Sequence, residues 1–270
     1  MENKQVPDEE RKINRLIKQR TVISFTVFIL LIIGAVICWN WFNNSPEDNG
    51  ALRPLRKVLT ANEDIGRKLF KNRNLAKEYP KSKAENKVRV NGDIGMGDEF
   101  DANKWHLIIM RHPDCASKDS ILELSLEDVK GFPKKDLVFD FKCIEGWSQI
   151  TYWGGTRFID FLMKYHLGTH SGRSIDINHP EDIYNYVGMM TPDSSYYVGI
   201  DMLSAMHPQT LLCYEMNGAA LPMNQGFPLR LIIPLKYGVK NIKRIGYIYF
   251  SDSKPKDYWY EQGYEYDASL

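Results

Sequence analysis

An uncharged apolar run near the N-terminus constrains this 270-residue chain more than any other feature. Ile, Val, Leu and Phe dominate the segment from Thr21 to Phe42, which contains no Asp, Glu, Lys or Arg. A helix of about 20 apolar residues crosses a hydrocarbon core of about 30 Å. Trp39 and Trp41 lie at the end of the run, where interfacial aromatic residues are typical. The run therefore predicts a single transmembrane helix over residues 21–42.

The charges on the two sides of this run differ in sign. Residues 11–20 contain five basic residues and no acid, whereas residues 43–52 contain two acids and no base. The positive-inside rule then predicts a cytoplasmic tail at 1–20 and an extracytoplasmic, periplasmic-side domain after the helix. A cleaved signal peptide is the alternative, but Ala35-Val-Ile-Cys-Trp39 does not supply the small residues of a cleavage site, so we favour an uncleaved anchor.

Composition excludes several functions. Lys and Arg number 35 against 34 Asp and Glu, so no excess of positive charge indicates nucleic-acid binding. The four cysteines show no CxxC spacing and no paired-histidine pattern, which disfavours a structural zinc or an iron–sulfur cluster. A disulfide between Cys115 and Cys213 is left open, because spacing alone cannot establish it.

Residues 43–87 have the composition of a hydrophilic linker. Apolar residues in its first part recur at roughly helical spacing and predict a short amphipathic helix, namely Leu55, Val58, Leu59, Ile65, Leu69 and Phe70. Folded structure is expected to resume with a strand at Val88-Arg-Val that enters an Asn-Gly turn, followed by a strand over Trp105–Met110. We therefore assign residues 88–270 to one folded domain.

Cys143 is the residue of this domain with the widest chemical options. Residues 138–144 read as a strand with Phe139, Phe141 and Cys143 on one face, and Glu145-Gly146 ends it. A thiol at the end of a strand can serve as a metal ligand, a nucleophile or a redox centre. The simpler alternative is a buried cysteine that packs as a small apolar side chain.

Further elements are predicted around this strand. Ser125-Leu-Glu-Asp128 resembles a helix-capping pattern, and apolar residues from Phe158 to Leu162 form one helical face. The intervening Gly154-Gly155 is expected to serve close backbone packing. Residues 183–191 read as a strand that ends in Thr191.

Arg230 interrupts an otherwise apolar strand over residues 229–233. A buried guanidinium needs a carboxylate, backbone carbonyls or a phosphate as its partner. A glycine turn at Gly238 follows, near Lys240 and Lys243, and such a basic turn suits a phosphate. Lys240 by itself is expected to be a solvated surface charge.

Phe141-Lys-Cys-Ile-Glu-Gly-Trp-Ser148, followed by Trp153-Gly-Gly155, resembles the molybdenum-ligand segment of the sulfite oxidase family of molybdopterin enzymes. Its Glu-Gly-Trp-Ser part is most similar to the periplasmic methionine sulfoxide reductase catalytic subunits of that family. The blocks at 186–191, 203–211 and 224–243 are similar to the same family. The resemblance implies an α+β fold of mixed β-sheets with flanking helices, here behind the single transmembrane helix.

The same resemblance implies a molybdenum–molybdopterin cofactor, with Cys143 as catalytic metal ligand. It implies pterin contacts from a set of downstream residues, and it adds His207 as a further site residue that could equally serve loop packing. The implied cofactor-binding residues are Thr191, Gln225, Arg230, Asn241, Ile242 and Lys243. Gln225 stands where the family usually has asparagine. No counterpart of the family's N-terminal asparagine–aromatic pterin contact is evident.

The implied activity is oxygen-atom transfer, in the direction that reduces an S-oxide such as methionine sulfoxide. Sulfite-type oxidation by the same site is an alternative. The chain shows no haem domain, so electrons are expected to pass through a membrane haem or quinone subunit. A twin-arginine export motif, expected for a cofactor-loaded exported enzyme, is not present in the sequence.

Two other classes of function remain open. One is a thiol enzyme that pairs Cys143 with His207 or His170, which requires hydrogen-bond reach between the two side chains. The other is an anchored binding module without catalysis, which the presence of both Cys143 and Arg230 disfavours.

Overall fold

The computed structural model describes residues 8–69, 74–97, 100–110 and 121–270. The chain divides into two compact units, Met1–Lys57 and Val58–Leu270, and each is described separately.

The first unit is dominated by helix α1 (Asp8–Asn43), of which no residue is buried. It is long and apolar enough to cross a membrane, and it is the only described helix that passes this criterion. It extends beyond the predicted 21–42 because the basic segment before Thr21 is also helical. A hairpin follows, with β1 (Glu47–Asp48) antiparallel to β2 (Ala51–Leu52).

The hairpin turns through two residues in the left-handed region, Asn49 with φ 48° and Gly50 with φ 73°. Asn-Gly is the dipeptide that this tight turn favours. Helix α2 (Arg53–Leu69) starts directly after β2 and continues into the second unit. The predicted amphipathic helix is thus confirmed and is longer than expected, whereas Phe70 lies outside the described residues.

Among its described residues, the second unit contains two five-stranded sheets, the C-terminal part of α2 and four short α-helices. Its strands are β3 (Leu107–Met110), β4 (Ile121–Leu124), β5 (Lys134–Lys142), β6 (Ser148–Arg157), β7 (Tyr186–Met190), β8 (Tyr197–Asp201), β9 (Leu211–Met216), β10 (Ala219–Ala220), β11 (Arg230–Ile232) and β12 (Tyr247–Ser251). Its helices are α3 (Leu126–Lys130), α4 (Phe158–Lys164), α5 (Met202–Ala205) and α6 (Tyr258–Glu261).

The two sheets differ in strand direction. The first has the order β10-β9-β6-β5, with β11 also paired to β9, and all of its pairs are antiparallel. The second has the order β4-β3-β12-β7-β8, in which β12 runs parallel to β3 and the other pairs are antiparallel. The predicted α+β class with mixed sheets and flanking helices is confirmed.

Local predictions around the first sheet also hold. Ser125 caps α3 with a reciprocal capping box to Asp128. Strand β6 shifts register between Gly154 and Gly155, and a Cβ on Gly155 would lie 2.3 Å from the carbonyl oxygen of Leu212. The prediction that this glycine pair permits close backbone packing is therefore confirmed.

The predicted strand at residues 88–90 is wrong, because this segment is irregular. Its backbone groups are satisfied by side chains instead of a neighbouring strand. The amide of Arg89 donates to Gln149 Oε1 at 2.8 Å, and the carbonyl of Arg89 accepts from Gln225 Nε2 at 3.2 Å. These two glutamines hold the segment without a β-ladder.

Candidate functional site

A pocket in the second unit opens between residues 88–94, the turn after β5 and the turn at 237–243. Its walls are formed by Val88, Arg89, Asn91, Gly92, Ile94, Phe141, Cys143, Ile144, Glu145, Trp147, Gln149, Thr151, Trp153, Tyr196, Gln225, Arg230, Gly238, Val239, Asn241, Lys243, Trp259 and Tyr264. Most of these residues are aromatic, apolar or amide-bearing, and three of them, Arg89, Arg230 and Lys243, are cations.

Cys143 is held in a tight turn directly after β5. Its backbone N–H donates to the carbonyl of Trp147 at 2.9 Å, and its own carbonyl accepts from Gly146 N–H at 3.0 Å. Gly146 has φ 88°, which explains the glycine at this position. The cysteine is only 6% exposed yet lines the pocket, and Asn91 Nδ2 lies 3.6 Å from its sulfur. The thiol therefore faces the pocket with an amide donor beside it.

Arg230 is a buried cation whose protein partners are uncharged. Its Nη1 donates to the Gln225 carbonyl at 2.9 Å and to Gln225 Oε1 at 3.1 Å, and its Nη2 donates to the Asn241 carbonyl at 3.2 Å. Its guanidinium carbon lies 4.6 Å from the centroid of the Trp153 ring. Its Nε is buried and has no hydrogen-bond partner among the residues that the structure describes. Burial lowers the pKa of this guanidinium from 12.5 to about 10.

Lys243 places a second cation in the same pocket. Its ammonium donates to three backbone carbonyls, those of Asn91 at 2.9 Å, Gly92 at 2.8 Å and Asn224 at 3.1 Å. Burial first, and then the nearby charge of Arg230, lower the pKa of Lys243 from 10.5 to about 8. Within the described part of the chain, neither cation forms an ion pair with a carboxylate.

Other buried lysines of this unit are paired, which sets these two cations apart. Lys236 contacts Asp267 at 2.6 Å and Asp201 at 3.2 Å. Lys240 is 1% exposed and forms a buried ion pair with Asp257. The expectation that Lys240 is a solvated charge is therefore wrong. Because Asp257 and the carbonyl of Gly199 at 3.0 Å satisfy its ammonium, the residue can be buried.

Three other predicted cofactor contacts lie next to this pocket. Gln225 and Asn241 line it, and their polar groups fix the loops that carry Arg230. Asn241 Oδ1 accepts from Ile233 N–H at 2.7 Å, while its Nδ2 donates to the Tyr237 carbonyl at 3.1 Å. Ile242 is buried in the main core, and its carbonyl accepts from Leu231 N–H at 2.9 Å. Its side chain thus serves packing, while it positions the two neighbours that line the pocket.

Thr191 and His207 are not brought to this pocket. Thr191 is fully buried after β7, and its hydroxyl donates to Asp193 at 2.6 Å and accepts from Tyr196 N–H at 3.1 Å. His207 is also fully buried, with Nε2 3.1 Å from the Asn74 carbonyl and Nδ1 accepting from Gln209 N–H at 3.2 Å. Burial lowers the pKa of His207. Both side chains stabilise local loop structure.

Cys213 is not among the residues that line this pocket. Cys213 is a free, fully buried thiol that donates to the Glu215 carbonyl at 3.1 Å. Burial raises its pKa to about 12. Cys115, its partner in the disulfide left open above, lies outside the described residues, as does His112.

Sequence reasoning missed the residues that form the rim. Arg89 stacks over Trp147 with 4.7 Å to the ring centroid, and Trp147 Nε1 donates to Glu145 at 3.1 Å. This hydrogen bond, followed by one with the Asn91 amide, lowers the pKa of Glu145. Trp259 and Tyr264 contact each other edge to face at 5.1 Å between centroids. Glu145 and Trp147 belong to the family-like segment 141–148, whereas Arg89 comes from the irregular segment 88–94 and Trp259 and Tyr264 come from the C-terminal region.

The side chains of this pocket fit a ligand that carries an anionic group and a metal ion able to bind a thiolate. Among the described residues, the buried Arg230 and the half-buried Lys243 form no ion pair with a carboxylate, and Arg230 Nε has no hydrogen-bond partner; these features favour a phosphate. Gly92 has φ 73° and open space where a Cβ would stand, so its backbone can be approached closely. Among the described residues there is no cluster of three His, Cys, Asp or Glu side chains that would hold a metal by itself. A metal here would accordingly depend on a cofactor, with Cys143 as a single thiolate ligand.

Comparison with known proteins defines the class. Residues 95–259 match the family described as the oxidoreductase molybdopterin-binding domain, and this match covers more than half of the chain. The chain therefore belongs to this family of molybdopterin-binding oxidoreductases, the sulfite oxidase family.

Several members of the family are similar in sequence. The protein-methionine-sulfoxide reductase catalytic subunit MsrP of Campylobacter jejuni is 31% identical over 170 residues, which cover 62% of this chain and 55% of that protein. YedZ1 of Azospira oryzae, a candidate protein-methionine-sulfoxide reductase subunit, is 37% identical over 142 residues, covering 53% and 49%. This chain thus spans about half the length of the curated relatives that it matches.

A solved structure is also similar. The sulfane dehydrogenase SoxCD from Paracoccus pantotrophus aligns with a TM-score of 0.44 and 16% sequence identity, over 58% of this chain and 40% of that chain.

Proposed function

We propose that this chain is a membrane-anchored oxidoreductase that holds a molybdenum–molybdopterin cofactor and reduces an S-oxide, such as methionine sulfoxide in proteins. The observation that carries the proposal is the presence, in one pocket, of the Cys143 thiol, the buried guanidinium of Arg230 and the half-buried ammonium of Lys243, with neither cation ion-paired to a described carboxylate. The overall reaction consumes the S-oxide, two electrons and two protons, and it yields the sulfide and water. Names of similar proteins from Campylobacter jejuni and Ralstonia nicotianae support the choice of substrate.

Each residue of the pocket receives a role from its position. Cys143 supplies the soft thiolate ligand, and the amide of Asn91 orients its sulfur. Arg230 and Lys243 hold the anionic phosphate end of the pterin, with Gln225 and Asn241 fixing the loops around them. When bound, the cofactor supplies two-electron oxygen-atom-transfer chemistry. The aromatic rim excludes water and accepts the apolar part of a substrate.

Thiol catalysis without a metal receives no support from this geometry. A nucleophilic cysteine needs a base within hydrogen-bond reach. In the described ranges no histidine lines the pocket, since His207 bonds to Asn74 and His170 stacks on Tyr184 at 4.0 Å.

The domain arrangement is part of the proposal. Residues 1–20 form a cytoplasmic tail, 21–42 the transmembrane segment, 43–87 the connector and 88–270 the molybdopterin-binding domain on the extracytoplasmic, periplasmic side. The proposed electron donor is a separate membrane haem or quinone subunit; the term "catalytic subunit" in the names of the relatives supports the presence of a partner subunit.

Metal analysis together with two assays tests the activity. The full chain, expressed in a host that makes molybdopterin and purified in detergent, is expected to contain about one molybdenum per chain. It should reduce methionine sulfoxide with a reduced viologen as electron donor. Sulfite oxidation with ferricyanide is assayed in parallel, and faster turnover in that direction would overturn the assigned substrate. Methionine sulfoxide reduction by metal-free protein would overturn the whole proposal.

Protease digestion tests the orientation independently. Protease added to intact spheroplasts should digest the domain that follows Asn43, while a cytoplasmic marker protein remains intact. Digestion only after lysis would reverse the proposed topology and leave the assignment of the cofactor unchanged.

A further inference from the structure

Helix α2 exposes most of its large apolar side chains to solvent. Val58, Ile65 and Leu69 are 57%, 58% and 69% exposed. With Asn62 they recur at intervals of three and four residues, which places them on one face of the helix. The opposite face carries Glu63, whose carboxylate is 3% exposed and binds Lys254 at 2.6 Å. This helix therefore packs through an ion pair and exposes its apolar stripe.

That arrangement is the reverse of the usual one. An amphipathic helix of a water-soluble domain normally buries its apolar stripe and exposes its charges. A contiguous exposed apolar face commonly marks a contact with a membrane or another protein. Because α2 follows the apolar helix α1 closely in the chain, we favour the membrane over another protein as the contact of its exposed face.

A short connection ties α2 to the end of the apolar helix. Helix α1 ends at Asn43 and α2 starts at Arg53, with the hairpin of β1 and β2 between them. Because Glu47 pairs with Leu52, the path from Asn43 to Arg53 spans at most about 25 Å, using about 3.5 Å per extended residue and about 5 Å across the pair. The first turn of α2 thus cannot leave the vicinity of the bilayer surface if α1 crosses the membrane.

The charges of α2 complement a lipid surface. Its exposed charged residues with described side chains are the basic Arg53, Lys57 and Lys68 and the acidic Asp64. The long apolar stems of lysine and arginine can lie along the acyl boundary while their charged ends reach the headgroups. Basic residues beside an apolar stripe are typical of helices that lie in the membrane interface.

We propose that α2 lies in the headgroup region of an anionic lipid bilayer, with Val58, Ile65 and Leu69 inserted toward the acyl chains. This inference rests on the membrane anchoring proposed above, and it adds a second membrane contact that is independent of the cofactor pocket.

Photo-crosslinking in vesicles tests the contact. The full chain is reconstituted into vesicles of phosphatidylethanolamine and phosphatidylglycerol, with p-benzoylphenylalanine in place of Ile65 or, as the control on another face, of Asp64. After illumination, intact-mass spectrometry is expected to find several-fold more lipid adduct at position 65 than at 64. Equal lipid adduct at the two positions, or a cross-link from position 65 to a second copy of the chain, would overturn the inference.

A second pair of cross-linking positions guards against misfolded variants, and a carbonate wash distinguishes failure of the α1 anchor from failure of the α2 contact. Leu69 with Lys68 as its control gives the same comparison if the variants at 64 and 65 do not fold. An alkaline carbonate wash of the vesicles measures anchoring by α1. Extraction of the protein by the wash would overturn the anchoring itself, whereas retention with no difference between stripe and control positions would overturn only the contact of α2.

Discussion

The guanidinium of Arg230 lies 4.6 Å from the ring centroid of Trp153, and it donates hydrogen bonds to uncharged oxygen atoms of Gln225 and Asn241. A buried cation in this position destabilises the protein until an anion reaches it, because its desolvation is not offset by an opposite charge. The pocket is therefore built for a negatively charged ligand. We therefore predict that removal of the Arg230 guanidinium weakens ligand binding but does not lower the stability of the ligand-free protein.

Replacement of Arg230 by Met should reduce cofactor retention and leave the cofactor-free protein at least as stable as the parent. Met keeps most of the bulk but removes the donors, and loss of a buried charged contact to the ligand costs on the order of 2–5 kcal/mol. Pterin content and urea denaturation of the cofactor-free form provide the two measurements. Arg157→Met, which removes a partly exposed ion pair to Asp160, is the control and should retain the cofactor. Equal pterin content in Arg230→Met and the parent would remove Arg230 from the site.

The lowered pKa of Lys243 predicts a pH dependence of stability in the cofactor-free protein. The unfolded lysine binds its proton below pH 10.5, whereas the folded one holds it only below about 8. The unfolded state thus binds more protons in this window, and stability should rise as pH increases from about 8 toward 10.5. Urea denaturation across this range should show a steeper rise for the parent than for Lys243→Met. Identical slopes would contradict the desolvated environment of this half-buried lysine.

The buried pair of Lys240 and Asp257 should contribute to stability and not to cofactor binding. Lys240→Met leaves Asp257 buried without its cation, which costs about 3–5 kcal/mol. Asp257 keeps its bond from Gly199 N–H at 3.1 Å, so the double variant Lys240→Met with Asp257→Asn should lose less than Lys240→Met alone. Denaturation midpoints measure both. A fall in pterin content of folded Lys240→Met would show instead that this lysine serves the pocket.

His207 should behave as a structural residue despite its place in a family-like segment. His207→Gln is expected to lose about 1–3 kcal/mol, because the buried partners of the ring are left incompletely satisfied. Since burial lowers the pKa of His207 below 6.5, its contribution to stability is present above that pH and is lost as the pH falls and the unfolded ring takes up a proton. Molybdenum content and turnover per folded enzyme should match the parent. A selective loss of turnover would restore His207 to the catalytic site.

Sequence analysis correctly predicted the elements whose structure is determined by neighbouring residues in the chain. Alternating residues predict the strand before Cys143, and a capping pattern predicts the cap of α3 by Ser125. A charge within an apolar strand predicts that Arg230 is buried with polar partners. Lys240 could not be predicted, because its carboxylate partner Asp257 lies 17 residues away in the C-terminal region. Pairing over such distances leaves no local signal.

The irregular segment at residues 88–94, which lines the site, is a second case in which contacts with distant residues determine the structure and local sequence does not predict it. Val88-Arg-Val reads as a strand, but side chains of Gln149 and Gln225 replace the ladder and turn Asn91 toward Cys143. Sequence analysis therefore missed Asn91 as a residue of the site and found no counterpart of the family's N-terminal asparagine–aromatic contact. Thr191 was assigned to the pterin by resemblance, whereas its hydroxyl is engaged by Asp193 and Tyr196. For both residues 88–91 and Thr191, the observed conformation depends on hydrogen bonds with side chains or backbone groups that the local sequence pattern does not reveal.

The central claim is that Cys143 is the protein ligand of molybdenum, and one variant tests it directly. In Cys143→Ser the metal loses its thiolate, while the pterin keeps the contacts to Arg230 and Lys243. Absorption spectra and turnover of the purified full chain are compared with those of Cys213→Ser and Cys115→Ser. We predict that only Cys143→Ser loses both the thiolate-to-metal absorption band and methionine sulfoxide reduction, with much of its pterin still bound. Turnover by Cys143→Ser at a rate near that of the parent would contradict the assignment.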